Sequence, residues 1–260
     1  METAGTGAPA GGQEIVSAGL LIIGDEILSG RTKDKNIGYI AEHLTAIGID
    51  LREVRVVPDI EDEIVAALNA LRVRYSHVFT TGGIGPTHDD ITADAIARAF
   101  GVPIDVDERA VAMLLERIPK SDLNEARLRM ARIPEGAELI PNSVSKAPGF
   151  SIGNVHVMAG VPSIMHAMLD ALAPKLATGR KMLSRSIAAG LKEGDLGGPF
   201  GELQKRFPDV GMGSYPSFEE GVGFTTTLVL RARDAARLAA AEAEVLSMLE
   251  RVRASLTALR

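Results

Sequence analysis

The run Thr80-Thr81-Gly82-Gly83-Ile84-Gly85-Pro86-Thr87-His88-Asp89-Asp90-Ile91-Thr92 gathers three glycines and two adjacent carboxylates into one short segment. Glycine lets the backbone take positive φ and lets a ligand reach the main chain with no Cβ in the way. Asp89 and Asp90 precede the alanine-rich run Ala93 to Phe100, which reads as a helix. They therefore sit near a first turn, where unpaired N–H groups make the field positive. A structural turn requires glycines but does not require paired acids. A second acidic loop, Gly24-Asp25-Glu26, follows the apolar run Ala18 to Ile23.

These two loops dictate a chemistry if they share a crevice. Asp25, Glu26, Asp89 and Asp90 would then repel one another and raise one another's pKa values. A divalent cation resolves that conflict, and Mg²⁺ favours a few carboxylates plus water and phosphate oxygens. Amide groups of the glycine turn, with Arg31, Lys33, Lys35 and Lys146, supply the complement for an anionic ligand. The expected chemistry is metal-assisted reaction at a phosphate or pyrophosphate, with Asp25 and Asp90 as the metal-holding pair. Two motif readings fail. Gly24 to Thr32 has five residues between its glycines and Arg31 in place of a P-loop lysine, and Gly83-Ile84-Gly85 meets His88 where a dinucleotide fingerprint needs a third glycine.

The elements that must position these groups follow from apolar spacing. Ile15 to Ile23 reads as a buried strand, and Ile37, Ile40, Ala41, Leu44 and Ile47 line one face of a helix closed by Gly48. Leu51 to Val57 reads as a second strand. Asp59 then caps a helix whose inward face is Ile64, Leu68 and Leu71. His77 to Thr80 is the third strand. Alternating strands and helices with short connections predict a three-layer, doubly wound, mostly parallel α/β sheet. In such a sheet ligands bind beyond the carboxyl ends of strands where the order reverses, which makes strands one and three neighbours. Beyond Gly101-Val102-Pro103, Asp107 caps a further helix and Asn124 to Ile133 is expected to be an arginine-rich one. Its Arg127, Arg129 and Arg132 read as a solvated face. Pro141 to Phe150 reads as a special loop, Val155 to Met158 as a strand and Ser163 to Leu176 as a helix. The remainder reads as strand Met182 to Ala189, helix Gly198 to Phe207, strands Val210 to Phe218 and Val222 to Arg231 joined by Glu219-Glu220-Gly221, and a long helix from Leu238 to Leu256. The expected division is a tail over 1–14, an α/β domain over 15–177 and a small α+β subdomain over 181–260.

Composition narrows the classes. Across 260 residues the net charge is −6, which argues against a nucleic-acid partner. No cysteine is present, so disulfides, thiolate zinc sites and a cysteine nucleophile are excluded, and a reducing cytoplasm fits. Apolar runs are too short to span a bilayer, and the Gly/Ala-rich opening lacks the pattern of a signal peptide. The histidines show no metal-ligand spacing, and His88 alone lies near the acidic loops.

The Thr80 to Thr92 run resembles the signature of the molybdopterin-binding domain shared by MogA, MoaB, gephyrin and CinA proteins, with Asp90-Ile91-Thr92 matching its Asp-x-Thr. Asp89, the segment Gly24 to Gly30 with Asn36, Ala147-Pro148-Gly149-Phe150 and Gly160-Val161-Pro162 resemble the CinA N-terminal branch. Phe207-Pro208 to Pro216 resembles the small subdomain that follows in CinA-type proteins. The resemblance implies one of two activities. One is divalent-metal-dependent hydrolysis of a nucleotide pyrophosphate such as ADP-ribose, and the other is molybdopterin binding with adenylylation. A catalytically silent binding protein is a third reading. It further implies Asp25, Asp89 and Asp90 as catalytic residues. Ligand contacts would come from Gly24, Glu26, Asn36, Thr81, Gly82, Gly83, Gly85, Pro86, Thr87, Asn142, Lys146, Ala147, Pro148 and Gly149. Homo-oligomers are usual among similar proteins.

Overall fold

A computed structural model describes residues 15–219 and 223–258 of the chain. The tail and the Glu220-Gly221 join lie outside these residues. The chain divides into two compact units, 1–180 and 181–260.

In the first unit the apolar runs do become strands. They are β1 (Val16–Ile23), β2 (Ile49–Val57), β3 (His77–Thr81), β6 (Glu138–Ile140), β7 (Gly149–Ile152) and β8 (Val155–Met158), in the order β2-β1-β3-β8-β7-β6. β2, β1, β3 and β8 are mutually parallel, while β7 runs antiparallel to both β8 and β6. Chain order steps from β1 to β2 on one side and returns to β3 on the other, so the reversal falls between β1 and β3. Leu20 pairs with Phe79 and Ile22 with Thr81, which brings the ends of those two strands level. β4 (Ile104–Val106) and β5 (Arg132–Pro134) form a separate antiparallel pair.

Alternate strand residues feed two cores, one on each face. After β1 the chain makes one short helical turn, α1 (Asp25–Leu28), which buries none of its residues. α3 (Glu61–Arg72), α4 (Thr92–Phe100) and α5 (Glu108–Leu115) cover one face, burying Ile64, Leu68, Leu71, Ile96 and Leu114 against Leu21, Ile23, Val78 and Val157. α2 (Asn36–Ile47) and α7 (Pro162–Leu172) cover the other, burying Ile40, Leu44, Met165 and Leu169 against Leu20, Ile22 and Phe79. The expected three-layer α/β fold is observed.

Several elements differ from expectation. Asp59 does not cap α3, whose N-cap is Ile60; its carboxylate instead accepts the Asp25 N–H at 2.9 Å. The expected helix over Asn124 to Ile133 stops early, as α6 (Glu125–Arg129), and its last residues become β5. Pro134 disfavours helical backbone at Ile133, and Ile133 is buried in the core. Asp107 caps α5 as expected, accepting from the Arg109 N–H.

The second unit runs β9 (Leu183–Ala188), α8 (Glu193–Arg206), β10 (Gly211–Glu219), β11 (Gly223–Ala232) and α9 (Ala235–Ala258), with its antiparallel sheet ordered β10-β11-β9. α8 begins five residues before the expected start, despite Gly194, Gly197 and Pro199 within it. Leu196, Phe200 and Leu203, spaced along one face, are buried against Leu228, Leu230 and Leu238. That burial overrides the weak local propensity.

Under the far ends of β3 and β8 lies a buried histidine pair that spacing did not reveal. His77 Nε2 is 3.0 Å from the Ala177 carbonyl, His77 Nδ1 is 3.1 Å from His156 Nε2, and His156 Nδ1 is 2.9 Å from the Ser151 hydroxyl. A carbonyl can only accept, so His77 Nε2 carries its proton, His156 Nε2 donates to His77, and Ser151 donates to His156. Burial lowers the pKa of His77, opposed by the Ala177 bond. Burial, joined by repulsion from His77, lowers that of His156 to about 3.

A histidine depressed in the folded state favours unfolding in acid, because the unfolded chain takes up the proton first, near pH 6.5. Stability is therefore intact above pH 6.5 and is lost as pH falls from there toward 3. The slope is about 1.4 kcal/mol per pH unit for a fully neutral buried histidine. Urea unfolding of His156→Gln between pH 6 and 4 should show a slope shallower than that of the parent by about 1 kcal/mol per pH unit. Equal slopes would mean that His156 is not held neutral.

Candidate functional site

The sequence-predicted loops converge at the reversal between β1 and β3. Gly82, just past β3, has φ 104°, and a Cβ there would stand 2.1 Å from the Ile23 carbonyl oxygen at the end of β1. Its N–H donates to the Met158 carbonyl of β8 at 3.2 Å. Gly83 has φ 65°, and a Cβ there would strike the Thr92 hydroxyl at 2.2 Å. That hydroxyl donates to the Gly82 carbonyl (3.0 Å), and the Thr92 N–H donates to the Gly83 carbonyl (3.0 Å). Thr92 thus locks the glycine turn to the start of α4.

A cleft of about 980 Å³ opens above this floor. Gly82, Gly83, Gly85, Pro86 and Asp90 line it from the β3 loop, Glu26 from the β1 loop, and Ser145 and Ala147 from the loop before β7. Apolar side chains reach its lining from both faces of the sheet, Leu114, Ile118 and Met130 from one and Ile164 and Met168 from the other, and Arg117 and Arg127 line it too. A smaller annex of about 210 Å³ shares Glu26, Thr32, Gly82, Gly160 and Pro162 with the cleft and is lined beyond them by Asn36 and Thr81.

The acids gather from three strand ends. Asp59, just past β2, has its carboxyl pKa raised by burial, and the charges of Asp25, Glu26 and Asp89 push the same way. The Asp25 N–H bond works against them. Asp89 is lowered, chiefly by the Thr87 hydroxyl and in smaller part by His88 and Arg31. Asp90 is held within its own turn: its carboxylate accepts from the Thr87 N–H at 2.8 Å and from the Thr87 hydroxyl. Asp25 and Asp90 are thus both at this end of the sheet, but Glu26 is the acid of the β1 loop that lines the cleft. Among the described residues no group of three or more His, Asp or Glu side chains is placed to hold a metal ion. The oxygen donors suit a hard cation that takes the rest of its shell from water or a ligand phosphate.

Other predicted residues position the loops. Asn142 is buried, and its amide is spent on its own loop: Oδ1 accepts the Val144 and Ser145 N–H groups at 3.0 and 2.7 Å, and Nδ2 donates to the Ala147 carbonyl. Lys146 sits at φ 66° and turns its ammonium to Glu116 at 2.7 Å. Pro148 lies by Asp90 and Arg129, and Gly149 opens β7. The Gly24 N–H donates to the Val57 carbonyl at 3.1 Å, tying the β1 loop to the end of β2.

The arginine run is not simply a solvated face. Arg129 donates to the Thr87 and Asp90 carbonyls at 3.1 and 3.2 Å, bracing the acidic turn. Arg132 makes a bidentate pair with Asp94 at 2.6 and 2.8 Å. Sequence reasoning missed Asp59 as a partner of the β1 loop, although its place just after a parallel strand was a usable signal. Arg129 carried no such signal.

A glycine floor, neighbouring acids and a partly apolar cleft at a topological switch point mark the place where open α/β sheets bind small molecules. Residues 19–178 match the model of the "probable molybdopterin binding domain" family, and the chain belongs to that family. Residues 181–255 match the FAD synthase middle domain. A protein of Aeropyrum pernix is 34% identical over 93% of this chain and 94% of its own. A protein of Caldivirga maquilingensis is 35% identical over 72% and 76%. The crystal structure of the protein CinA, of unknown function, from Thermoplasma acidophilum is 36% identical with a TM-score of 0.59, covering 63% of this chain and 99% of that one. No described helix is long and apolar enough to cross a membrane.

The glycine floor has a measurable cost of disruption. Gly82→Ala combines backbone strain with a main-chain clash, and should cost about 4 kcal/mol or prevent folding. Gly30→Ala, at φ 72° with open space around it, should cost only about 1 kcal/mol. Asn142→Ala should cost about 2 kcal/mol. Urea unfolding of the three variants checks this ranking.

Proposed function

We propose that the chain is a cytoplasmic, divalent-metal-dependent hydrolase of a nucleotide pyrophosphate, ADP-ribose being the first substrate to test. The observation that carries this reading is the meeting of acids from the ends of β1, β2 and β3: the Asp25 N–H donates to the Asp59 carboxylate at 2.9 Å, whose pKa is raised first by burial and then by the charges of Asp25, Glu26 and Asp89. Crowded acids are costly to a fold, and such perturbation clusters at functional sites. The match of 181–255 to a domain of FAD synthases supports a nucleotide over other anions.

In this reading the Gly82 to Thr87 turn cradles the pyrophosphate through the amides between its ends, the Gly82 and Thr87 N–H groups being bonded to Met158 and Asp90, and the apolar part of the lining takes the ring system. Asp25 and Asp90, with Asp89 assisting, would hold the metal, and once bound it would supply charge neutralisation at the phosphates. Asp89 and Asp59 orient the attacking water. The water oxygen bonds to one phosphorus, the bridging P–O bond breaks, and the departing phosphate oxygen takes up a proton. The products from ADP-ribose are AMP and ribose 5-phosphate.

Purified protein incubated with ADP-ribose, FAD and other nucleotide diphosphates, with Mg²⁺, Mn²⁺ or Co²⁺, should release monophosphate. Asp90→Asn keeps the shape of the turn and should lower the rate at least about 100-fold. No monophosphate with any metal would end this reading. The family match itself favours a second one, binding or adenylylation of molybdopterin. A pterin identified by mass spectrometry in the purified protein would select it.

A further inference from the structure

Two guanidinium groups line the cleft without an acidic partner. Arg117 stands just past the end of α5, and Arg127 lies within α6. Arg117 donates to the Val144 carbonyl in the loop before β7, and Arg127 to the Asp122 carbonyl. Neither forms an ion pair among the described residues, not even with Glu26, Asp90 or Asp122, the acids that share the lining. Other arginines of the same unit are matched: Arg52 with Asp50 at 2.7 Å, Arg98 with Glu61 at 2.8 Å and Arg132 with Asp94 at 2.6 Å. Glu116, beside Arg117 in the chain, is spent on Lys146 at 2.7 Å. Acids outnumber Lys and Arg by 34 to 28 in this chain, so a shortage of carboxylates does not explain the unmatched pair.

The chemistry of these groups specifies what would satisfy them. A guanidinium carries five N–H donors in a planar fork, of which a single carbonyl takes only part. The rest of the fork suits the oxygens of a phosphate, which it can meet in pairs. Asp122 is the one acid that the α5–α6 segment adds to the lining, and its carboxylate accepts the Ser121 hydroxyl at 3.1 Å. Two guanidiniums against one carboxylate leave that stretch of the cleft positive. The same segment supplies apolar lining, since Leu114 and Ile118 flank Arg117 in the chain and Met130 follows Arg127. An anion held there is therefore attached close to the ring that those side chains cover.

We propose that Arg117 and Arg127 form a subsite for a phosphate monoester on the nucleoside's own sugar. The ligand class is then a nucleotide pyrophosphate that carries a third phosphate at the 2′ or 3′ position. This rests on the nucleotide reading of the cleft and narrows its ligand. The glycine turn keeps the pyrophosphate, and the two arginines hold a separate phosphate and take no part in breaking the P–O bond.

Adenosine bisphosphates test the subsite without requiring turnover. Calorimetric titration of the full chain with Mg²⁺ should show adenosine 2′,5′-bisphosphate or adenosine 3′,5′-bisphosphate binding at least about tenfold tighter than AMP. The tighter of the two identifies the sugar position. The preference should shrink as salt is added, because it is electrostatic. Arg117→Met and Arg127→Met should each lower it to about threefold or less. Neither residue is buried, so the core is left intact, and the comparison of ligands on the parent needs no variant. A parent that binds both bisphosphates no better than AMP would overturn the subsite and leave the nucleotide reading standing. A preference unchanged in both variants would also overturn it, placing the second phosphate elsewhere. Tight bisphosphate binding with no release of monophosphate from any nucleotide pyrophosphate would uphold the subsite and end the hydrolase reading. Binding of none of the three ligands would bring down the nucleotide reading and the subsite with it.

Discussion

The site depends on three strand ends approaching with no side chain between them. The backbone at Gly82 leaves no room for a Cβ beside the Ile23 carbonyl, and a Cβ at Gly160 would sit 3.3 Å from the Gly82 Cα. The Gly82 N–H bond to Met158 and the Asn36 bond to the Gly160 carbonyl then hold β3, β8 and α2 to one point. Any side chain at Gly82 would splay β1 from β3 and carry their loops apart. The floor, the cleft and the annex all follow from that approach.

The same approach creates the electrostatic tension of the site. Loops that leave β1, β2 and β3 at one level carry Asp25, Glu26, Asp59 and Asp89 into each other's field. The protein offsets part of this locally: Thr87 donates to Asp90 through both its N–H and its hydroxyl, and His88 and Arg31 act on Asp89. Asp59 is left with the balance against its ionised form. A fold selected for stability alone would replace one of these acids, since none of them fills a core position.

Much of this was legible in the sequence because the signals were strong and local. Uninterrupted apolar runs marked the parallel strands, and the apolar spacing of Ile40 and Leu44 marked α2. The strand-end rule placed the β1 and β3 loops together from chain order alone. What was not legible depended on distant partners. Asp59 looks like a helix cap until the Asp25 N–H arrives from 34 residues away. Arg129 looks solvated until α6 ends early and turns it toward Thr87. Asn142 looked like a ligand contact because of its type, while its geometry assigns it to the loop it sits in. The His77–His156 pair has no sequence signature, since it arises from the register of β3 against β8.

These distinctions separate what the family fold requires from what its chemistry requires. Gly82, Gly83, Thr92, Asn142 and Arg129 shape and brace the loops through backbone contacts, so they serve any ligand that lies on the floor. Glu26, Asp90 and the apolar residues of the lining face the space that a ligand fills, and these are the groups that decide which ligand it is. A pterin and a nucleotide can share the first set without sharing the second, so membership of the family fixes the architecture and leaves the reaction to the site.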